Sequence, residues 1–114
     1  MGLFSFLKLD QNFNLDSESF REKIKSDSNS IVLDVRTKDE FRSGHIPNAR
    51  NIDIYSPDFG NQIGKLDKSK TYLVYCQSGS RSYSAMQLMK SNGFENVFNL
   101  DGGISIWDGE ITTE

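Results

Sequence analysis

The sequence predicts an α/β domain built on a mainly parallel sheet. Three observations carry this. Short apolar runs, Ile31-Val32-Leu33 and Thr71-Tyr72-Leu73-Val74-Tyr75, alternate with stretches of helical apolar spacing. Turn clusters such as Asp27-Ser28-Asn29-Ser30 and Asn92-Gly93 separate them. The runs are continuously apolar, as strands covered on both faces are. With 114 residues the chain suits one compact domain and leaves little room for a second.

Taken in order, Phe13-Asn14-Leu15 is a short strand candidate. Asp16 can cap a helix over 17–25, with Phe20 and Ile24 one turn apart on its inner face. The run Ile31-Val32-Leu33 is a buried strand. Thr37 caps a short helix, Glu40 is placed to complete a capping box, and Gly44 ends it. Ala49 to Ile54 is extended. Pro57 to Leu66 is a short helix carrying Phe59, Ile63 and Leu66. A strand over 71–75 follows, then a loop with Cys76 and a helix over 82–92. Asn92-Gly93 stops that helix, and Phe94 supplies the apolar contact of a Schellman cap. Glu95 to Leu100 is the last strand. Asp101-Gly102-Gly103 turns the chain before Ile104 to Trp107.

The formal net charge of -3 gives no electrostatic argument for nucleic acid or an anionic membrane surface. The one cysteine forms no internal disulfide, which fits a reducing compartment without excluding an oxidising one, and a cytoplasmic location is the expectation. The apolar run in Met1-Gly2-Leu3-Phe4-Ser5-Phe6-Leu7-Lys8 is too short to span a membrane. Gly2 raises myristoylation, but that motif wants Ser or Thr where Phe6 stands. Residues 1–10 therefore read as a short extension, with a processed precursor as the alternative, and residues 11–114 as the domain.

Chemistry concentrates in Cys76-Gln77-Ser78-Gly79-Ser80-Arg81-Ser82. The segment lies between a strand and a helix, where backbone N–H groups lack partners and the helix dipole is positive. In open α/β sheets, sites form at the carboxyl ends of strands. Amides from Gln77 to Ser82 curled around the sulfur favour thiolate, the nucleophilic form. Gly79 permits a turn with positive φ. Ser78, Ser80 and Ser82 are small hydroxyl donors that leave the rim open. Arg81 can grip an oxyanion with two N–H groups. The bland alternative is an inert core cysteine. No loop side chain is an obvious general base, so a reaction needing thiolate but little proton transfer fits best, and sulfur transfer is of that kind.

From Leu15 to Trp107 the chain resembles the single-domain rhodaneses, the thiosulfate sulfurtransferases. Their pattern Cys-x-x-Gly-x-Arg-Ser is met by Cys76, Gly79, Arg81 and Ser82. Upstream, Leu33-Asp34-Val35-Arg36, Glu40-Phe41 and Gly44-His45-Ile46-Pro47-Asn48-Ala49 leading into Asn51-Ile52 match. Downstream, Asp101-Gly102-Gly103 and Trp107 match. Asn48 departs from the family's usual Gly or Asp. The resemblance implies a three-layer domain with a mainly parallel five-stranded sheet and helices on both faces. It implies Cys76 as catalytic nucleophile and Gln77 to Ser82 as the substrate-binding loop. The sulfur donor would be thiosulfate or a related sulfane-sulfur compound. The acceptor would be cyanide, a thiol or a sulfur-carrier protein. No metal or cofactor is required, no nucleic acid or membrane partner is implied, and the oligomeric state is left open.

Other residues read structurally. Asp34 and Arg36 tie a strand end to neighbouring loops. His45 is a satisfied loop histidine in preference to a catalytic base. Asp101 serves its turn, with bracing of the loop as the alternative. Trp107 is a core or edge aromatic, and Tyr83 can border the entrance. Two rival functions stand beside sulfur transfer. One is a persulfide carrier or regulatory module that acts on a protein partner and uses thiosulfate poorly, since the loop has no cation beyond Arg81. The other is a phosphatase or arsenate reductase, which needs five residues between cysteine and arginine; here four intervene. A two-domain mercaptopyruvate sulfurtransferase with the loop Cys-Gly-Ser-Gly-Val-Thr matches less well.

Overall fold

The structure, a computed structural model, describes residues 13–114, so the reading of residues 1–10 lies outside the described residues. Five strands form one sheet: β1 (Asn14–Leu15), β2 (Ser30–Asp34), β3 (Arg50–Asn51), β4 (Thr71–Tyr75) and β5 (Asn96–Leu100). Their order is β1-β5-β4-β2-β3, and every pairing is parallel. Between them run α1 (Ser17–Ser26), α2 (Lys38–Ser43), α3 (Phe59–Gly64) and α4 (Ser80–Ser91), with a 3-10 turn over Gly103–Ile106.

Side-chain alternation divides the core into two layers, one on each face of the sheet. Leu33, Val74 and Val97 face α3 and α4, where Phe59, Ile63, Ala85, Met86 and Met89 meet them. Val32, Leu73 and Leu100 face α1 and the 3-10 turn, where Phe20 is fully buried and Ile104 and Trp107 pack. Strand β4 is buried at all five positions, which is why it lacks polar alternation in the sequence.

The expected ends hold in detail. The Asp16 carboxylate accepts from Ser19 N–H at 2.8 Å. Thr37 and Glu40 form the full capping box. The Schellman cap is complete: Phe94 N–H donates to Met89 O at 3.1 Å and Gly93 N–H to Lys90 O at 3.2 Å. Asn48 adopts φ 68°, the left-handed region that Asn tolerates better than other side chains, so its replacement of Gly or Asp keeps the turn.

Most element boundaries shift by one to three residues, and two of the changes have a clear cause. Helix α4 starts at Ser80, because Gly79 in the left-handed region at φ 101° lets the loop enter the helix two residues early. Of 49–54, only Arg50–Asn51 pairs as strand, since the chain then leaves the sheet edge. Gly103–Ile106 is a 3-10 turn.

Strands β2 and β4 are neighbours, and from them the chain moves outward in opposite directions, to β3 and to β5. The crevice beyond their carboxyl ends is the switch point of the fold, and Cys76 stands there. Leu73 is fully buried on the central strand, so Leu73→Ala is expected to cost about 2–5 kcal/mol, read from urea denaturation.

Candidate active site

Four donors act on the Cys76 sulfur. Gly79 N–H lies 3.1 Å from Sγ, the Ser82 hydroxyl 3.3 Å and Ser82 N–H 3.4 Å. The Ser78 amide adds to the field. Burial pushes the thiol up, but the Ser82 hydroxyl and the amides of Ser82, Gly79 and Ser78 outweigh it, and the thiol titrates below its ordinary value. An inert core thiol in apolar surroundings would shift the other way. The sulfur is fully enclosed, while Gln77, Ser78 and Ser80 are exposed above it.

Amides that turn inward send their carbonyls outward, where each needs a donor. Cys76 O accepts from Ile104 N–H at 2.9 Å, and Gln77 O accepts from Ser105 N–H at 3.0 Å. Gly79 O accepts from Tyr83 N–H at 3.1 Å and from Asn99 Nδ2 at 3.2 Å. Gly103 allows the two segments to touch: a Cβ there would fall 2.5 Å from the Gln77 carbonyl carbon. The bracing weighed as the alternative for Asp101 thus comes from the backbone beyond it, and Asp101 itself is exposed in its turn.

Arg81 is engaged on the loop's flank. Its Nη1 donates to Glu40 Oε1 at 2.9 Å and its Nη2 to Glu40 Oε2 at 3.0 Å. The guanidinium lies 5.7 Å from the ring centroid of Tyr55, which is well exposed. The Arg81 hydrogen bonds draw the Glu40 carboxyl down to about 2, against the opposing effect of burial. Glu40 therefore both caps α2 and holds Arg81. Only the first role was legible from its spacing to Thr37.

The loop hydroxyls differ in placement. Ser82 is fully buried and turns its hydroxyl to the sulfur. Ser78 and Ser80 are exposed as expected. Gln77 Oε1 accepts from Arg36 Nη1 at a long 3.5 Å. Arg36 is otherwise bound to Asp34 Oδ2 and Gly44 O, both at 2.7 Å, which is the tie from strand end to loop. His45 Nδ1 lies 2.9 Å from Phe41 O with its ring stacked on Phe41, so it is a structural histidine. Trp107 packs edge-on against Phe20 at 5.8 Å. Tyr83 is exposed in the first helical turn. Among the described residues, no group of His, Cys, Asp and Glu is placed to hold a metal ion.

Sequence reading missed Asn99. It is buried, its Nδ2 also donates to Asn14 Oδ1 at 2.8 Å, and its own Oδ1 has no partner. An asparagine among the apolar residues of a buried strand was the available signal.

Residues 16–110 match the model of the rhodanese-like domain. The chain belongs to the rhodanese-like family. This rhodanese domain is 34% identical over 96 residues to a putative sulfurtransferase, YtwF, of Bacillus subtilis, covering 84% of this chain and 90% of that protein. It is 37% identical over 79 residues to a thiosulfate sulfurtransferase, GlpE, of Pseudomonas savastanoi, covering 68% and 72% of the two chains. A crystal structure of a rhodanese-related protein from Thermoplasma volcanium superimposes with TM-score 0.78 at 30% identity, covering 89% of this chain and 98% of that one.

Two expectations follow for the rhodanese site. The rate of Cys76 alkylation by iodoacetamide should rise with a midpoint below that of an ordinary thiol, and Ser82→Ala should move it up. An unmoved midpoint would mean that the Ser82 hydroxyl does not hold the thiolate. Glu40 is ionised in the fold down to about pH 2 against an ordinary 4.5. Its stabilisation is complete above the ordinary value and is lost as pH falls through the folded one. The urea midpoint of Glu40→Gln should therefore depend less on pH between those limits than that of the parent.

Proposed function

We propose that the protein is a sulfurtransferase that carries sulfane sulfur on Cys76 as a persulfide. The observation that carries this reading is the set of donors converging on Cys76 Sγ, with no base needed beside it. The Cys76 thiolate attacks the outer sulfur of thiosulfate or of a related donor. A new S–S bond forms, the bond to the sulfonate sulfur breaks with its electron pair, and sulfite leaves. A thiophilic acceptor (cyanide, a thiol or a sulfur-carrier protein) then attacks the outer sulfur, and Cys76 returns as thiolate. The two displacements imply ping-pong kinetics.

Each loop residue has a proposed part. Ser78, Gly79 and Ser82 stabilise the Cys76 anion. The first amides of α4, at Ser80 and Arg81, have no intrahelical acceptor and face a second anion if one enters. Gln77 flanks the entrance, and Arg81 lies on the loop's flank with its charge matched by Glu40. No step requires a cofactor. Residues 11–114 act as one rhodanese domain, and a cytoplasmic setting suits its single enclosed thiol. Among the described residues no helix is long and apolar enough to cross a membrane. The engagement of Arg81 by Glu40 favours a second reading, a persulfide carrier for a protein partner with little thiosulfate activity. A phosphatase is disfavoured by the loop, one residue short of the phosphate-seating length, and by an arginine already bound to a carboxylate.

The test is intact mass after incubation of the reduced protein with excess thiosulfate or an alkyl persulfide, followed by desalting. A gain of one sulfur atom, removed by cyanide and absent in Cys76→Ala, is expected. No gain with either donor, or a gain that survives in Cys76→Ala, would overturn the reading.

A further inference from the structure

We propose that Glu40 sets the donor preference of this site: by cancelling the charge of Arg81 it directs Cys76 toward weakly charged donors, alkyl persulfides, and away from the thiosulfate dianion. This rests on the sulfur-transfer reading above.

Two cations touch the loop, and each is already matched by a carboxylate. Arg81 gives both terminal nitrogens to Glu40, at 2.9 and 3.0 Å. Arg36, which reaches Gln77, is paired with Asp34 at 2.7 Å. With Cys76 as thiolate the site therefore carries a net formal charge of about -1. The loop amides can stabilise that anion, but they bring no full positive charge for a second and third negative charge. Thiosulfate brings two. Its outer sulfur must approach a thiolate, and the repulsion is borne by dipoles alone. An alkyl persulfide in its protonated form brings none. The thiolate attacks its terminal sulfur, the alkyl thiolate leaves, and Cys76 holds the S–SH group, so charge and atoms balance.

Glu40 is held independently of Arg81. Its Oε1 accepts from both Thr37 N–H and the Thr37 hydroxyl at 3.0 Å. The α2 cap therefore fixes a carboxylate beside the loop, and the arginine comes to it. The Arg81 charge acts on the nucleophile too, because the Cys76 thiolate contributes to holding Arg81 protonated. Removing the Glu40 charge would release that cation to the anionic site without displacing the cap, since a glutamine serves the same position of a capping box.

The test is a charge cycle. The second-order rate of Cys76 persulfide formation is measured by rapid quench and intact mass, with thiosulfate and with the persulfide of 2-mercaptoethanol. The parent is compared with Glu40→Gln, Arg81→Gln and the double variant, each checked by thermal melting. The readout is the ratio of the thiosulfate rate to the persulfide rate. The parent ratio should lie below one. Glu40→Gln should raise it on the order of tenfold and Arg81→Gln should lower it similarly, while the double variant should return to within about threefold of the parent. A double variant as low as Arg81→Gln would mean that Arg81 grips the donor directly and Glu40 sets nothing. A ratio unmoved by Glu40→Gln in a folded protein would also overturn the proposal. If neither donor loads the parent, sulfur transfer itself fails and this inference falls with it. If both donors load it with one ratio in all four proteins, this inference alone fails.

Discussion

The site depends on one constraint: a short peptide loop must aim its N–H groups at a single sulfur atom. A peptide unit that points its hydrogen inward points its oxygen outward. The price is a set of outward carbonyls that must find donors in a buried setting. The fold meets this from two directions. The 3-10 turn after β5 gives the Ile104 and Ser105 amides to Cys76 O and Gln77 O. Helix α4 and Asn99 give donors to Gly79 O. Asn99 does so by using its nitrogen twice and leaving its oxygen without a partner, a deficit of the order of 1–3 kcal/mol tolerated next to the loop. The glycines follow from the same constraint. Gly79 turns the loop into the helix, and Gly103 lets the supporting backbone come close enough to donate.

Topology places these parts together. Because β4 lies between β2 and β5, the loop after β4 is flanked by the segments that follow both neighbours. One flank is the Asp34–Arg36 tie and the α2 cap with Glu40. The other is the Gly102-Gly103 turn. Residues more than sixty positions apart in the chain thus converge on one loop through parallel pairing.

Much of this was legible in the sequence. The apolar runs announced the central strands, and Asp16, Thr37 and Asn92-Gly93 announced helix ends, because capping is local chemistry within four or five residues. Cys76, Gly79 and the small loop residues announced an amide-lined cysteine loop for the same reason. What was not legible is tertiary. Spacing showed Glu40 as a cap, since its bond to Thr37 spans three residues, but its bond to Arg81 spans forty-one and leaves no local signature. Asn99 and the backbone support from Gly103 are of the same kind. The burial of the Ser82 side chain against the sulfur is of this kind as well, since it depends on where the helix begins.

The hydrogen-bond set also explains why the site has no base. His45, which a cysteine-histidine pair would need, bonds Phe41 O and stacks on its ring. Proton removal by a base matters where the nucleophile starts protonated and must be activated at each turnover. Here dipoles that do not titrate hold the thiol below its ordinary value before any donor arrives. In the proposed transfer, the persulfide that thiosulfate leaves on Cys76 is again an anion in the same setting, so one arrangement of amides would serve both forms of Cys76. On that route no proton would have to move between the two proposed displacements. What remains to be controlled is the charge of the molecule that approaches, and that falls to the groups flanking the loop, not to the amides that line it.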